Sequence, residues 1–370
     1  MNSIKRIKVE GFKSIEDIDL KLDNLNVLIG ANGAGKSNFL SVFKLLNEIA
    51  NERLSLFTAK SGGASKLLYY GKKVTDAIKI SVDFDSVSYR CVLEPTVSDQ
   101  LFFADESISF VEPGNSPNKS DAACLFTKAP DFPLRGRSET DLRSWSDSNK
   151  AANKVLNTFC EWQVFHFSDT SENAHIKDNC GIDDNRFLKE DAANIAAFLY
   201  KIKKKKNCYA QILNTVQLIA PFIKDFYLEP LELNRETIRL KWKHKESNDD
   251  FDISQLSDGT IRSICLATLL LQTGPPSTIL IDEPELGLHP YALNILASLL
   301  KSVSSKTQLI VSTQSSPLID QMEPENIIVV DYIGGKSKFY RKNPDELKDW
   351  LEEYTLGELW EKNVLGGRPG

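Results

Sequence analysis

Residues Gly30 to Ser37 read GANGAGKS, with the spacing G-x-x-x-x-G-K-S. A chain of phosphates needs several N–H donors converging on it. Only a backbone free to take left-handed torsions curves tightly enough to supply them. Gly30, Ala31, Asn32, Gly33, Ala34 and Gly35 are therefore expected to line a triphosphate, with Asn38 just inside the helix that follows. Lys36 would carry charge to the β- and γ-phosphates, and Ser37 would offer an oxygen to Mg²⁺. A second group lies in STILIDEPELGLHP, residues 277–290, where an apolar strand ends in Asp282 and Glu283. Asp282 would hold the Mg²⁺ through water, and Glu283 would polarise an attacking water. Alone, that run equally fits a strand entering a helix through an acidic turn; the glycine loop upstream favours the catalytic reading.

The elements that carry these residues begin with IKRIKVEGF, IEDIDLKL and LNVLIG in residues 4–30, which read as short strands. Past Gly35, the spacing of Phe39, Val42, Phe43 and Leu46 predicts an amphipathic helix. Residues 78–93 alternate again, whereas 95–150 read as loops with a short strand or two. A helix is expected over 191–220, with Ile195, Phe198, Leu199 and Ile202 on one face. A hairpin is expected over 226–244, turning at Asn234, Arg235 and Glu236. Beyond 253, SICLATLLLQ, TILID, YALNILASLLKSV, TQLIVST and NIIVVD alternate helix and strand, which predicts an α/β sheet.

Two further groups sit on this alternation. LSDGT, residues 256–260, precedes a buried helix, and its Ser257 and Gly259 could aim backbone N–H groups and a positive dipole end at a γ-phosphate. Asp258 would repel a phosphate, so it is expected to face sideways and cap the helix. At the end of the third apolar strand, Gln314 could hydrogen-bond a γ-phosphate or water but could not shuttle a proton at neutral pH. A cap at the strand end is the competing reading of Gln314.

LSDGT resembles the ABC signature in its SMC/RecF form. The run from IKVEGFKSIEDIDL through GANGAGKSNFL to DEPELGLHP and STQSSPLID resembles the RecF/SMC/OLD-like ATPases of bacteria. WQVFHFSDTS, DDNRFLKEDAANIAAFLYKI and the closing DELKDWLEEYTLGELWEKNVLGGRP are similar to a stand-alone branch found in defence-type operons. The resemblance implies an α/β ABC-type P-loop head with an N-terminal β-rich lobe (1–94), a helical lid insertion (95–225) and a C-terminal ATPase lobe (226–370). It implies ATP and Mg²⁺, with the loop, Asp282, Glu283 and Gln314 of one subunit facing Ser257 and Gly259 of another. The implied state is thus a homodimer closed through the ATP site, with larger assemblies left open. His289-Pro290 falls where such proteins approach that interface, and it is also a good local helix start.

Other features restrict the function. The net charge of −6 leaves any nucleic-acid contact to a local patch, of which KIKKKKN (201–207) is the one dense run. Lysines closing a helix are also ordinarily solvated. The six cysteines show no metal spacing, and no stretch of about 18 apolar residues occurs, so a cytoplasmic chain without a membrane span is expected. His166, Asp169 and Thr170 suggest a structural or nucleotide-sensing loop rather than a second centre. The pairs Asp17/Asp19, Asp83/Asp85 and Asp250/Asp252 fit outward strand faces, and no nuclease domain is expected after NIIVVD. The reading is an ATPase regulating a separate nuclease or toxin encoded by a neighbouring gene, in anti-phage defence. The alternative is a DNA-repair ATPase that contacts DNA directly; a transporter subunit is poorly supported.

Overall fold

The chain, described by a computed structural model over residues 3–110, 124–126 and 137–367, opens with β1 (Arg6–Phe12) and β2 (Ile15–Lys21), paired antiparallel with Val9 opposite Ile18. β3 (Leu25–Ile29) feeds the glycine loop and α1 (Lys36–Ala50). Phe39, Val42, Phe43 and Leu46 of α1 are all buried, as their spacing predicts. After α2 (Leu54–Lys60) and α3 (Ala64–Leu67) come β4 (Ile78–Asp83), β5 (Val87–Pro95), β6 (Leu101–Phe110) and β7 (Cys124–Phe126). These strands form an antiparallel sheet in the order β2-β1-β4-β5-β6-β7.

The ten-residue β6 lies in the 95–150 stretch that reads as loops with a short strand or two, and it is longer than that reading expects. A bulge explains why. Leu93 pairs Phe103 while Val92 pairs Asp105, so Ala104 is an extra residue, and the buried positions change from Leu101 and Phe103 to Glu106 and Ile108. Glu106 is 5% exposed and accepts hydrogen bonds from Tyr89 Oη (2.8 Å), Thr140 Oγ1 (2.5 Å) and Asp141 N (2.9 Å). Burial outweighs these donors and pushes its carboxyl up to about 7. A raised carboxyl stabilises the fold below the unfolded value and loses that contribution as pH rises through the folded one. Between about pH 4.5 and 7 the loss should approach about 3 kcal/mol. Urea unfolding at pH 5 and pH 8 should show that loss, and Glu106→Gln, always neutral, should flatten it.

The chain continues through α4 (Leu142–Ser148), α5 (Lys150–Glu161), β8 (Val164–Phe165) and β9 (Cys180–Gly181) to α6 (Ile195–Lys203) and α7 (Lys206–Ile219). The single helix read over 191–220 is thus two, broken at Lys204 and Lys205 inside the lysine run. β10 (Ile223–Tyr227), β11 (Thr237–Ile238), β12 (Lys241–His244) and β13 (Asp250–Asp252) follow. The hairpin exists, with Phe226 opposite Trp242, but Leu228–Leu240 between its strands is longer than a tight turn. The turn at Asn234 serves β11, which pairs with β9.

The last part supplies α8 (Asp258–Leu271), β14 (Thr278–Asp282), α9 (Pro290–Ser304), β15 (Gln308–Thr313), α10 (Ser316–Ile319), β16 (Ile327–Ile333), β17 (Lys336–Tyr340), α11 (Pro344–Leu351) and α12 (Leu356–Glu361). A second sheet runs β17-β16-β3-β15-β14-β8, parallel except for β17, which extends it one strand beyond NIIVVD. β3 shows why it reads as an apolar run. Val27 and Ile29 join the core beneath α6–α10, while Leu28 joins the core shared with α1 and the first sheet, so both faces are buried. In such a sheet the loops after successive strands gather at one edge, where ligands bind. The loops after β3, β14, β15 and β8 carry the residues singled out above.

Candidate functional site

The glycine loop is shaped by close approaches. A Cβ on Gly30 would strike the carbonyl of Val330, and one on Gly35 (φ 115°) would strike Ser337 Oγ. Ser337 Oγ donates to Ala34 O (2.6 Å) and contacts Ser14 Oγ (2.7 Å), which accepts from Asn38 Nδ2 (2.7 Å). Asn38 thus braces the loop from outside through a chain of hydroxyls. Asn32 and Gly33 are exposed, and Ala34 is buried. The N–H groups of Gly33, Gly35, Lys36 and Ser37 donate to no protein acceptor among the described residues. They are the orphan donors of a helix start, suited to an anion. Lys36 is 5% exposed, and its Nζ donates to the carbonyls of Gly30 (2.6 Å) and Ala31 (3.1 Å). Burial lowers its ammonium below the usual range, while Glu283, Asp282 and Glu285 pull it back up.

Across from the loop, Ser37 Oγ lies 3.4 Å from Asp282 Oδ2, and Ser312 Oγ bonds Asp282 Oδ1. His166 Nδ1 is 3.0 Å from the carbonyl of Asp282, so that nitrogen must donate. Glu283 stands at φ 49°, in the left-handed region, which costs a non-glycine residue about 1–3 kcal/mol and is a feature of functional sites. Gln314 Nε2 donates to both Glu283 Oε1 (2.5 Å) and Asn32 Oδ1 (2.7 Å), so it ties the loop to the carboxylate. Ser315, not Gln314, caps the next helix, α10. Gly30–Ser37, Asp282, Glu283 and Gln314 therefore meet at one edge.

Ser257 and Gly259 do not join them. Ser257 is exposed and caps α8 by accepting from Thr260 N (3.3 Å), and neither residue is hydrogen-bonded to the glycine loop. Asp258, expected to be a cap, occupies the first turn instead; Ser257 has the extended backbone a cap needs. His289 caps α9 ahead of Pro290, its Nδ1 accepting from Tyr291 N at 3.4 Å. In the lysine run, Lys201 donates to Asn185 O (2.9 Å), Lys203 to Asp225 (3.3 Å) and Lys205 to Thr273 Oγ1 (2.9 Å), so much of it is used within the fold.

Four residues that build the site carry no signal in the sequence. Ser14 and Ser337 come from β-strand hairpins remote in sequence and carry no local signal. Glu285 lies inside DEPELGLHP. Its Oε1 accepts from Thr313 Oγ1 (2.6 Å) and Gln314 N (2.9 Å), its Oε2 is buried without a partner, and burial raises its carboxyl. Arg262 is the fourth. Its guanidinium donates to Leu286 O (2.7 Å), Phe167 O (2.9 Å), Ser168 O (2.6 Å) and Thr170 Oγ1 (3.4 Å). Gly259 packs on the carbonyl of Gly287, and Gly287 (φ 68°) lies against Arg262, so α8, the 286–287 loop and the 167–170 segment form one unit. Lysine cannot reproduce that planar fork. Arg262→Lys should lower stability by about 2 kcal/mol in urea unfolding, because the carbonyls of Phe167, Ser168 and Leu286 lose a shared charged donor.

A parallel sheet with a glycine loop, two strand-end carboxylates and a signature-bearing helix defines an ATPase head of the ABC class. The chain belongs to the family described as "AAA domain, putative AbiEii toxin, Type IV TA system", whose model matches residues 25–320. Its fold matches an SMC head solved bound to the C-winged helix domain of ScpA, with TM-score 0.59 and 16% identity over 94% of this chain and 99% of that one. It is 34% identical over 82 residues to the OLD nuclease of Thermus scotoductus, covering 22% of this chain and 14% of that protein. It is 32% identical over 107 residues to ABC transporter A family member 11 of Dictyostelium discoideum, covering 29% of this chain and 11% of that protein. The chain spans under half the length of the curated relatives it matches. Among the described residues no helix is long and apolar enough to cross a membrane.

Proposed function

We propose that the protein binds and hydrolyses ATP between two copies of its head and that this cycle controls a separate effector protein in bacterial anti-phage defence. One observation carries the dimer. The start of α8 is exposed at Ser257 and Asp258 and engages no phosphate-facing residue of its own chain. Its serine and backbone donors are suited to a γ-phosphate, so a second copy is the natural recipient. In this reading the free N–H groups of Gly33, Gly35, Lys36 and Ser37 cradle the phosphates, and Lys36 neutralises them. Glu283 accepts the proton of the attacking water, and Gln314 senses the γ-phosphate from its place between Asn32 and Glu283. Ser37 and Asp282 would hold Mg²⁺. They supply oxygens only, and among the described residues no group of three or more His, Cys, Asp or Glu is placed to hold a metal ion. That donor set suits an ion that keeps waters and phosphate oxygens as its other ligands. Bound there, Mg²⁺ would neutralise charge developing on the phosphates.

The effector reading is supported by the family description, which names a toxin–antitoxin system, and by the SMC head that is solved with a second protein bound. The test is the mass of the protein in solution with and without Mg-ATP. A dimer that forms with ATP and dissociates on turnover supports the reading, and a mass indifferent to ATP overturns it.

A further inference from the structure

The C-terminal block, with its two tryptophans and its LGG, has no part in the scheme above, yet it reaches the glycine loop. Gly367 O accepts a hydrogen bond from Ala31 N at 2.6 Å. Gly367 N donates in turn to Asp331 Oδ1 (2.8 Å) on β16, and Tyr340 Oη on β17 donates to Asp331 Oδ2 (2.6 Å). Gly366 and Gly367 sit at φ 87° and 85°, a conformation that favours glycine. A Cβ on Gly367 would lie 3.3 Å from Gly30 Cα and 3.2 Å from Val329 Cγ1. The two glycines therefore let one backbone lie directly on the first turn of the loop.

The other end of the block is equally fixed. α12 begins with a capping box between Thr355 and Glu358, and Gly357 N donates to Asp320 Oδ1 (2.6 Å), next to α10. α10 starts two residues after Gln314. Leu359, Trp360 and Leu365 are buried in the core between these points, whereas Trp350 on α11 is exposed beside Tyr354. The block thus spans the two strand ends that hold the loop and Gln314. Ala31 N is committed to Gly367, while the N–H groups of Gly33, Gly35, Lys36 and Ser37 remain free.

We propose that Leu365–Gly367 is a positioning strap of the nucleotide site, fixing the entry of the glycine loop so that its phosphate-facing donors are set before ligand arrives. This rests on the ATP-binding reading. Pre-organisation of this kind acts on affinity rather than on the chemical step. The strap predicts weaker nucleotide binding with little change in turnover once the site is filled.

The experiment uses the full chain, a fluorescent methylanthraniloyl ATP with Mg²⁺, and three variants: Gly367→Val, Asp331→Ala and Tyr340→Phe. Gly367→Val and Asp331→Ala should raise Kd about five- to tenfold, the size of one lost hydrogen bond. Their kcat at saturating ATP should stay within about twofold of the parent. Tyr340→Phe removes a single hydroxyl and supplies a folded variant if either of the others unfolds; its Kd should rise about two- to threefold. A lower melting temperature with unchanged Kd makes the segment a fold element only and overturns the strap, as does tighter binding. If the parent chain does not bind the nucleotide, the ATP reading fails instead, and the two failures are distinguishable.

Discussion

Glu283→Gln should leave ATP binding intact, lower kcat by about 10²- to 10⁴-fold and make the ATP-bound dimer accumulate, seen as doubled mass in light scattering on adding Mg-ATP. The choice of glutamine follows from the geometry. Gln314 Nε2 donates to Glu283 Oε1 at 2.5 Å, and an amide oxygen at the same place still accepts that bond. The link onward to Asn32 at 2.7 Å is therefore kept, and the loop is not disturbed. What disappears is a base able to take a proton from water. Glu285 cannot replace it, because its Oε1 is already held by Thr313 and Gln314 N and burial favours its neutral form. Alanine would be a poorer probe, since it removes the acceptor and frees Gln314 as well. Unchanged turnover in the glutamine variant would remove Glu283 from its role. A variant that binds ATP yet stays monomeric would remove the dimer.

How much of this could be read in advance depends on whether a feature is local. The glycine loop, Asp282-Glu283 and the strand ending at Gln314 were legible because each motif brings its own strand and helix with it. The sheet order was not, since β3 lies between β15 and β16, strands almost 300 residues away in sequence. The supports were hidden for the same reason. Ser14 and Ser337 flank the loop only after β2 and β17 have been placed, and nothing in their neighbours marks them. Arg262 looks like one more polar residue on a helix; its carbonyl partners at 167, 168 and 286 appear only in three dimensions. β6 was concealed by a bulge and a buried glutamate, both of which break the alternation that announces a strand. Ser257 takes the cap that the sequence equally offers to Asp258, because either side chain can accept there and backbone torsion decides between them.

Mixing two inactive variants should restore activity, and this is the sharpest consequence of a site shared between subunits. In the proposed shared site, Lys36→Ala would remove the phosphate-binding charge of one protomer, and Ser257→Arg would block the helix start turned toward the partner's γ-phosphate. Each variant alone forms two defective sites per dimer and should hydrolyse almost nothing. In a mixed dimer, the intact loop of the Ser257→Arg chain meets the intact Ser257 of the Lys36→Ala chain, so one site is whole and the other carries both lesions. With random pairing half the dimers are mixed and each has one working site, so an equimolar mixture should regain about a quarter of parental turnover. Recovery well below this would show that the two sites must fire together, which still requires a dimer. A site contained within one chain instead leaves the Ser257→Arg variant active on its own, so that mixing it with Lys36→Ala adds nothing. That outcome would reduce the exposed serine-led helix to a surface feature, because the free N–H groups of Gly33, Gly35, Lys36 and Ser37 would then need no partner to act.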